Sequence, residues 1–176
     1  MKKGFTVLEL LIVIAIIGIL ASVIIPSVNG GREKAIKSRT LSELKTMATA
    51  LELYRNDNNG NYPADVSRDL PPGLGAYLGG NQSAAWPDAP WPGSVYDWDN
   101  WDDPDYPGEK IYQISIRFCP AGGPLSACVF PPESWAANFG VNSSYYYCIG
   151  GRCRAHLSEV YTYPGYCANC TVQPSP

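Results

Sequence analysis

The chain has 176 residues, with 13 Lys and Arg against 16 Asp and Glu for a formal charge of −3, and 45% of it is apolar, including 5 Trp and 12 Tyr. That length fits one domain plus an appended segment, and the aromatic content lets that domain build a real core. The acidic balance argues against a strongly basic nucleic-acid surface, so nucleic acid is an unexpected partner.

The chain opens with Lys2 and Lys3 ahead of an apolar run from Phe5 to Ile25, about 31 Å as a helix and enough for a bilayer core. Glu9 interrupts it. An acidic residue at mid-span costs roughly 2.5 to 3.5 kcal/mol, somewhat less near the end, so its retention predicts a cationic partner. A secretory signal peptide has an apolar middle of only about 7 to 15 residues, and a plain single-pass anchor leaves Glu9 unexplained. Charge counting does not fix the orientation, because Arg32, Lys34, Lys37 and Arg39 beyond the run oppose Lys2 and Lys3.

Lys2-Lys3, Gly4, Phe5, Glu9 as the fifth residue from Phe5, and the apolar stretch Leu10 to Ala21 together resemble the processing signal of type IV pilins and of type II secretion pseudopilins. The resemblance implies a leader, residues 1–4, cut off by a prepilin peptidase between Gly4 and Phe5, with methylation of the new amino terminus at Phe5. It also implies a cytoplasmic amino terminus in the inner membrane, with 5–25 as transmembrane and assembly helix. The freed Phe5 amine of one subunit then meets Glu9 of the next, in a pair that sets register more than it adds stability. The implied partners are identical or related pilin subunits in a helical polymer, the peptidase, the inner-membrane assembly machinery and the lipid bilayer. The assembled filament would be extracellular or periplasmic. Leader removal leaves 11 basic against 16 acidic side chains.

Pro26 cannot donate to Ser22, so the helix should bend or loosen there, and Gly18 weakens the same stretch. The resemblance implies local melting between Gly18 and Pro26 on assembly, although Gly18 also suits close packing in a membrane helix. Over 26–58 the apolar Ile36, Leu44, Met47, Ala48, Leu51 and Tyr54 recur at helical spacing against Lys37, Glu43, Lys45, Glu52 and Arg55. Asn58-Asn59-Gly60 supplies a stop, giving a helix of about 81 Å from Phe5. The stretch ALELYRNDNNGNYP also resembles the end of the long helix in that family.

Residues 59–110, rich in Pro, Gly, Asp and Trp, read as an irregular connection with short helical or strand pieces. Ile111 to Phe118 alternates, with Tyr112, Ile114, Ile116 and Phe118 on one face and Gln113, Ser115 and Arg117 on the other, and reads as a half-buried strand. Val141–Ile149 and Arg152–Tyr163 read as hairpin arms around Gly150-Gly151. The expected class is α+β: a long amino-terminal helix whose second half packs on a small antiparallel sheet, with 111–176 as the disulfide-containing β region.

All six cysteines, Cys119, Cys128, Cys148, Cys153, Cys167 and Cys170, lie in the last third, which in an exported domain reads as disulfides. A two-residue turn at Gly150-Gly151 would set Cys148 opposite Cys153. Cys119 with Cys128 and Cys167 with Cys170 are the weaker complement. Zinc is the rival reading, but only Cys167-Ala168-Asn169-Cys170 has the short spacing of a zinc ribbon.

Asp97, Asp99, Asp102, Asp103, Asp105 and Glu109 crowd among Trp98, Trp101 and Tyr106. Such oxygen density could hold Ca²⁺, although the spacing is not that of an EF-hand and a solvated acidic loop is the plainer reading. No other cofactor is expected. Catalysis has no foothold: His156 is the single histidine and no GxSxG, P-loop or HExxH occurs. Asn81-Gln82-Ser83 and Asn142-Ser143-Ser144 fit the glycosylation pattern and read as polar surface loops. The expectation is a structural filament subunit rather than an enzyme. The alternatives are a secretion pseudopilin, or a minor or competence pilin whose aromatic loop binds DNA or a surface.

Overall fold

The computed structural model describes residues 5–79, 85–120, 128–155 and 163–171, with the backbone alone for 23–29. The leader including Gly4, the interior of the Cys119–Cys128 loop, His156 and Asn81-Gln82-Ser83 lie outside the described residues. The chain divides into two compact units, 1–38 and 39–176, and the helix α1, Val7–Asp57, contributes to both.

In the first unit the apolar side chains from Phe5 to Leu20 are largely exposed. The helical backbone runs unbroken through Gly18 and Pro26, and nothing lies within 4 Å of a Cβ built on Gly18. Among the described residues no helix is long and apolar enough to cross a membrane.

In the second unit α1 buries Thr40, Leu44, Met47, Ala50 and Leu51, a stripe at three- and four-residue spacing that leaves Lys45 and Thr46 exposed. The helix ends where Asn59 turns to φ 57° and Gly60 to φ 81°. The Gly60 amide donates to Arg55 O at 2.9 Å, which closes a Schellman cap.

The stripe meets a four-stranded sheet of order β1 (Ser94–Asp102), β2 (Lys110–Phe118), β3 (Ser144–Gly151), β4 (Gly165–Cys167). β1–β2 and β2–β3 are antiparallel, and β3–β4 is parallel. Tyr96 pairs with Ile116 and Trp98 with Ile114; all four are buried, and Tyr96 Oη donates to Glu43 on α1 at 2.5 Å. Fully burying each aliphatic side chain contributes roughly 1.5–3 kcal/mol. The core continues through Phe118, whose ring lies 5.5 Å from both Trp91 and Phe139.

The sheet corrects three readings. First, the strand piece within 59–110 is a full nine-residue edge strand, Ser94–Asp102, rather than a short one. Second, β2 is buried on both faces: Gln113 and Ser115 are 0% exposed and Arg117 3%. Its polar side chains join Asp97 and Asp99 in a hydrogen-bonded layer rather than facing water, and breaking such a buried pair costs about 3–5 kcal/mol. Third, Gly150-Gly151 is no hairpin turn. Both glycines belong to β3 and pair with Tyr112 and Ile111, past a bulge between Tyr112 and Gln113. Residues 152–155 form no strand, and most of the expected second arm lies outside the described residues.

The disulfides are Cys119–Cys128, Cys148–Cys153 and Cys167–Cys170, with Cα separations of 5.7, 5.5 and 5.5 Å. The Cys148 bridge therefore forms where the chain doubles back beyond the end of β3, not across a two-residue hairpin. Tyr146, Cys153 and Cys167 make a small apolar cluster with Cys148 and Cys170. Asn169 joins the two cystines by accepting from the Cys148 amide and donating to its carbonyl, both at 2.8 Å.

Candidate functional site

The amino-terminal end of α1 is built by three residues. Thr6 Oγ1 accepts from the Glu9 amide at 3.2 Å, while Glu9 Oε2 accepts from the Thr6 amide at 2.9 Å and from its hydroxyl at 2.8 Å. This reciprocal capping box satisfies donors that a helix start leaves without intrahelical partners. Glu9 is thereby ordered by its own helix, beside Phe5, which is 85% exposed. The Thr-x-x-Glu spacing of a capping box is legible in Thr6-Val7-Leu8-Glu9, a signal that the expectation of a cationic partner for Glu9 left aside.

The acidic residues form no single oxygen cage. Arg117 Nε binds Asp97 at 2.8 Å and its Nη2 binds Asp99 at 2.9 Å, and Asp99 also accepts from Gln113 and Ser115. Asp102 pairs with Lys110 at 2.8 Å. Asp103 and Asp105 are held by Arg154 at 2.9 and 2.6 Å, and Arg152 lies over the Tyr106 ring at 3.4 Å. Among the described residues no group of three or more His, Cys, Asp or Glu side chains is placed to hold a metal ion. The candidate Ca²⁺ ligands are instead divided among separate ion pairs.

Residues 63–68 cover part of this layer. Pro63 O accepts from Trp98 Nε1 at 3.0 Å and from Asn100 Nδ2 at 2.7 Å, and the Arg68 amide donates to Asp97 at 2.8 Å. Partial burial, then the charges of Asp99 and Asp97, push the Asp65 carboxyl up to about 6. Burial and Asp99 likewise raise Asp97, against the pull of Arg117. Asp65, Arg154 and Asn169 carry no local sequence signal, since each finds its partner far along the chain.

An exposed apolar helix with one ordered carboxylate at its start, continuing into a disulfide-stapled four-stranded head, defines an α+β subunit of pilin-like architecture. Residues 1–25 match the family described as the prokaryotic N-terminal methylation motif. The chain is 41% identical over 63 residues to the type II secretion system core protein G of Pectobacterium carotovorum subsp. carotovorum, covering 36% of this chain and 40% of that protein. To the core protein G of Escherichia coli (strain K12) it is 44% identical over 62 residues, 35% and 42% of the two chains. To the type IV wide pilus major component PilA4 of Thermus thermophilus it is 47% identical over 57 residues, 32% and 44%. By this motif and these relatives the amino-terminal third of the chain is similar to pilins and pseudopilins. The matched regions span less than half the length of each relative, and no solved structure matches the chain.

Proposed function

We propose that the chain is a structural, non-catalytic filament subunit, cleaved after Gly4, methylated on Phe5, and stored in the inner membrane with its amino terminus in the cytoplasm. It polymerises through α1 into an extracellular or periplasmic filament. The observation that carries this reading is Glu9, ordered at the mouth of an exposed apolar helix inside the methylation motif. In one subunit the carboxylate is satisfied by Thr6. In a filament it is the acceptor for the Phe5 amine of the next subunit, and Gly18 and Pro26 are where α1 yields as the subunits pack.

Mass spectrometry of sheared filaments should find methylated Phe5 as the first residue. Glu9→Ala should leave membrane insertion intact and deplete filaments, because the neighbour's amine loses its partner. Filaments retaining Met1, or wild-type amounts of filament from Glu9→Ala, defeat the reading. The relatives named core protein G favour a second form of it, a short periplasmic pseudopilus of type II secretion. Deleting the chain then stops exoprotein release without removing surface pili, and the opposite pattern selects the pilus.

A further inference from the structure

The dipeptide Asn-Gly occurs twice in the chain, at Asn29-Gly30 and at Asn59-Gly60, and the fold treats the two pairs differently. Gly30 lies in the interior of α1, with helix on both sides of it. Asn59 and Gly60 form the turn that stops the helix, with φ 57° and 81°, and both are exposed. Helix ends open far more readily than helix interiors.

The residue types that suit a left-handed cap are also those that can cyclise. Asn accepts positive φ and carries a carboxamide carbon within reach of the next backbone nitrogen, and Gly has no Cβ to hinder the approach. A Cβ built on Gly60 meets nothing within 4 Å, so the surroundings add no obstacle. Asn61 Nδ2 reaches the Asn59 backbone carbonyl at 3.5 Å, but among the described residues no hydrogen bond holds the Asn59 carboxamide. The restraint falls on Gly60 instead. Its amide is tied to Arg55 O at 2.9 Å, and Arg55 Nε donates to its carbonyl at 3.3 Å. While the cap is closed, the Gly60 nitrogen can neither shed its proton nor turn towards Asn59 Cγ.

We infer that Asn59 is a site of spontaneous chemical modification, converted through a succinimide with Gly60 to aspartate and isoaspartate at a pace set by the opening of the α1 cap. When the cap opens, the Gly60 amide gives its proton to hydroxide and its nitrogen bonds to Asn59 Cγ. The Cγ–Nδ2 bond breaks, and the side-chain nitrogen takes a proton from water and leaves as ammonia. Water then opens the ring, at Cγ to give aspartate or at the backbone carbonyl carbon to give isoaspartate. Nothing is oxidised or reduced, and only water is consumed. Either product sets a new carboxylate at the negative end of the helix dipole, two residues from Asp57. Isoaspartate also lengthens the main chain by one methylene, so the cap cannot re-form as it was. The change accumulates as the protein ages and loosens the turn leading to Pro63, whose carbonyl holds Trp98 and Asn100.

The test incubates the full chain in mildly alkaline buffer, either folded in detergent or denatured in concentrated guanidinium chloride. Peptide mapping that separates Asn, Asp and isoaspartate follows both pairs. In the folded chain Asn59 should convert severalfold faster than Asn29, whereas in the denatured chain the two rates should be comparable. Denaturation should speed Asn59 by about tenfold or more, the factor that corresponds to roughly 1.4 kcal/mol of cap stability. Gly60→Ala, compared with wild type in denaturant where the fold plays no part, should slow conversion severalfold. No conversion of Asn59 in denaturant, or an unchanged rate there in Gly60→Ala, overturns the chemistry and the inference with it. Equal rates at Asn59 in the folded and denatured chain, or Asn29 converting first in the folded chain, overturn the control by the cap.

Discussion

Thr6 and Glu9 show how two residues three apart settle the start of a helix that has to present a charge. Thr6→Ala removes the hydroxyl that accepts from the Glu9 amide and donates to its carboxylate. It should loosen the first turn by about 1 kcal/mol, visible as faster amide exchange at residues 7–10, with Thr6→Ser close to wild type. Asp65 is the complementary case. Its folded carboxyl, near 6 against an ordinary 3.8, takes up its proton before the unfolded chain does. The folded state therefore gains stability as the pH falls from about 6 to about 4, and lacks that gain above 6. Asp97 is shifted in the same direction. The thermal midpoint of the full chain in detergent should be higher at pH 5 than at pH 7.5. Asp65→Asn should raise the pH 7.5 value and narrow the gap; an unchanged gap would remove Asp65 from the account.

At the scale of elements, β3 ends where only glycine fits. Gly151 has φ 73°, and a Cβ there would lie 1.8 Å from Lys110 O, whereas one on Gly150 meets nothing nearer than Tyr112 at 3.7 Å. Gly151→Ala should cost about 2 kcal/mol or more in urea unfolding and Gly150→Ala far less. Equal costs would mean that the strand end relaxes freely. This pair also shows where the sequence misled, because Gly-Gly has turn composition, but whether it turns depends on a bulge in β2 that no local signal announces. β1 was hidden for a related reason. Its alternation is regular, with Tyr96 and Trp98 against Asp97 and Asp99, but carboxylates read as solvated until Arg117 is known to lie on the neighbouring strand. The helical stripe Leu44, Met47 and Leu51, the strand Ile111 to Phe118 and the methylation motif of residues 1–25 were legible, because periodicity and motif spacing are local properties.

For the whole molecule, the division at Ser38 and Arg39 predicts that damage to one unit spares the other. Leu44→Ala empties a fully buried position and should cost the second unit about 2–5 kcal/mol. Near-UV dichroism should report the loss, while resistance to alkaline extraction stays unchanged. Loss of membrane retention would contradict that independence. The cystines have a consequence for how such a chain matures. Their partners are separated by 9, 5 and 3 residues and follow one another without overlap. Closing loops this short carries little entropic cost, and each pair is complete as soon as its second sulfur is exposed to oxidant. With the amino terminus held in the cytoplasm, as the proposed function has it, a head that crosses in sequence order can lock its staples one after another while the rest is still in transit, with no need of an isomerase to undo earlier choices.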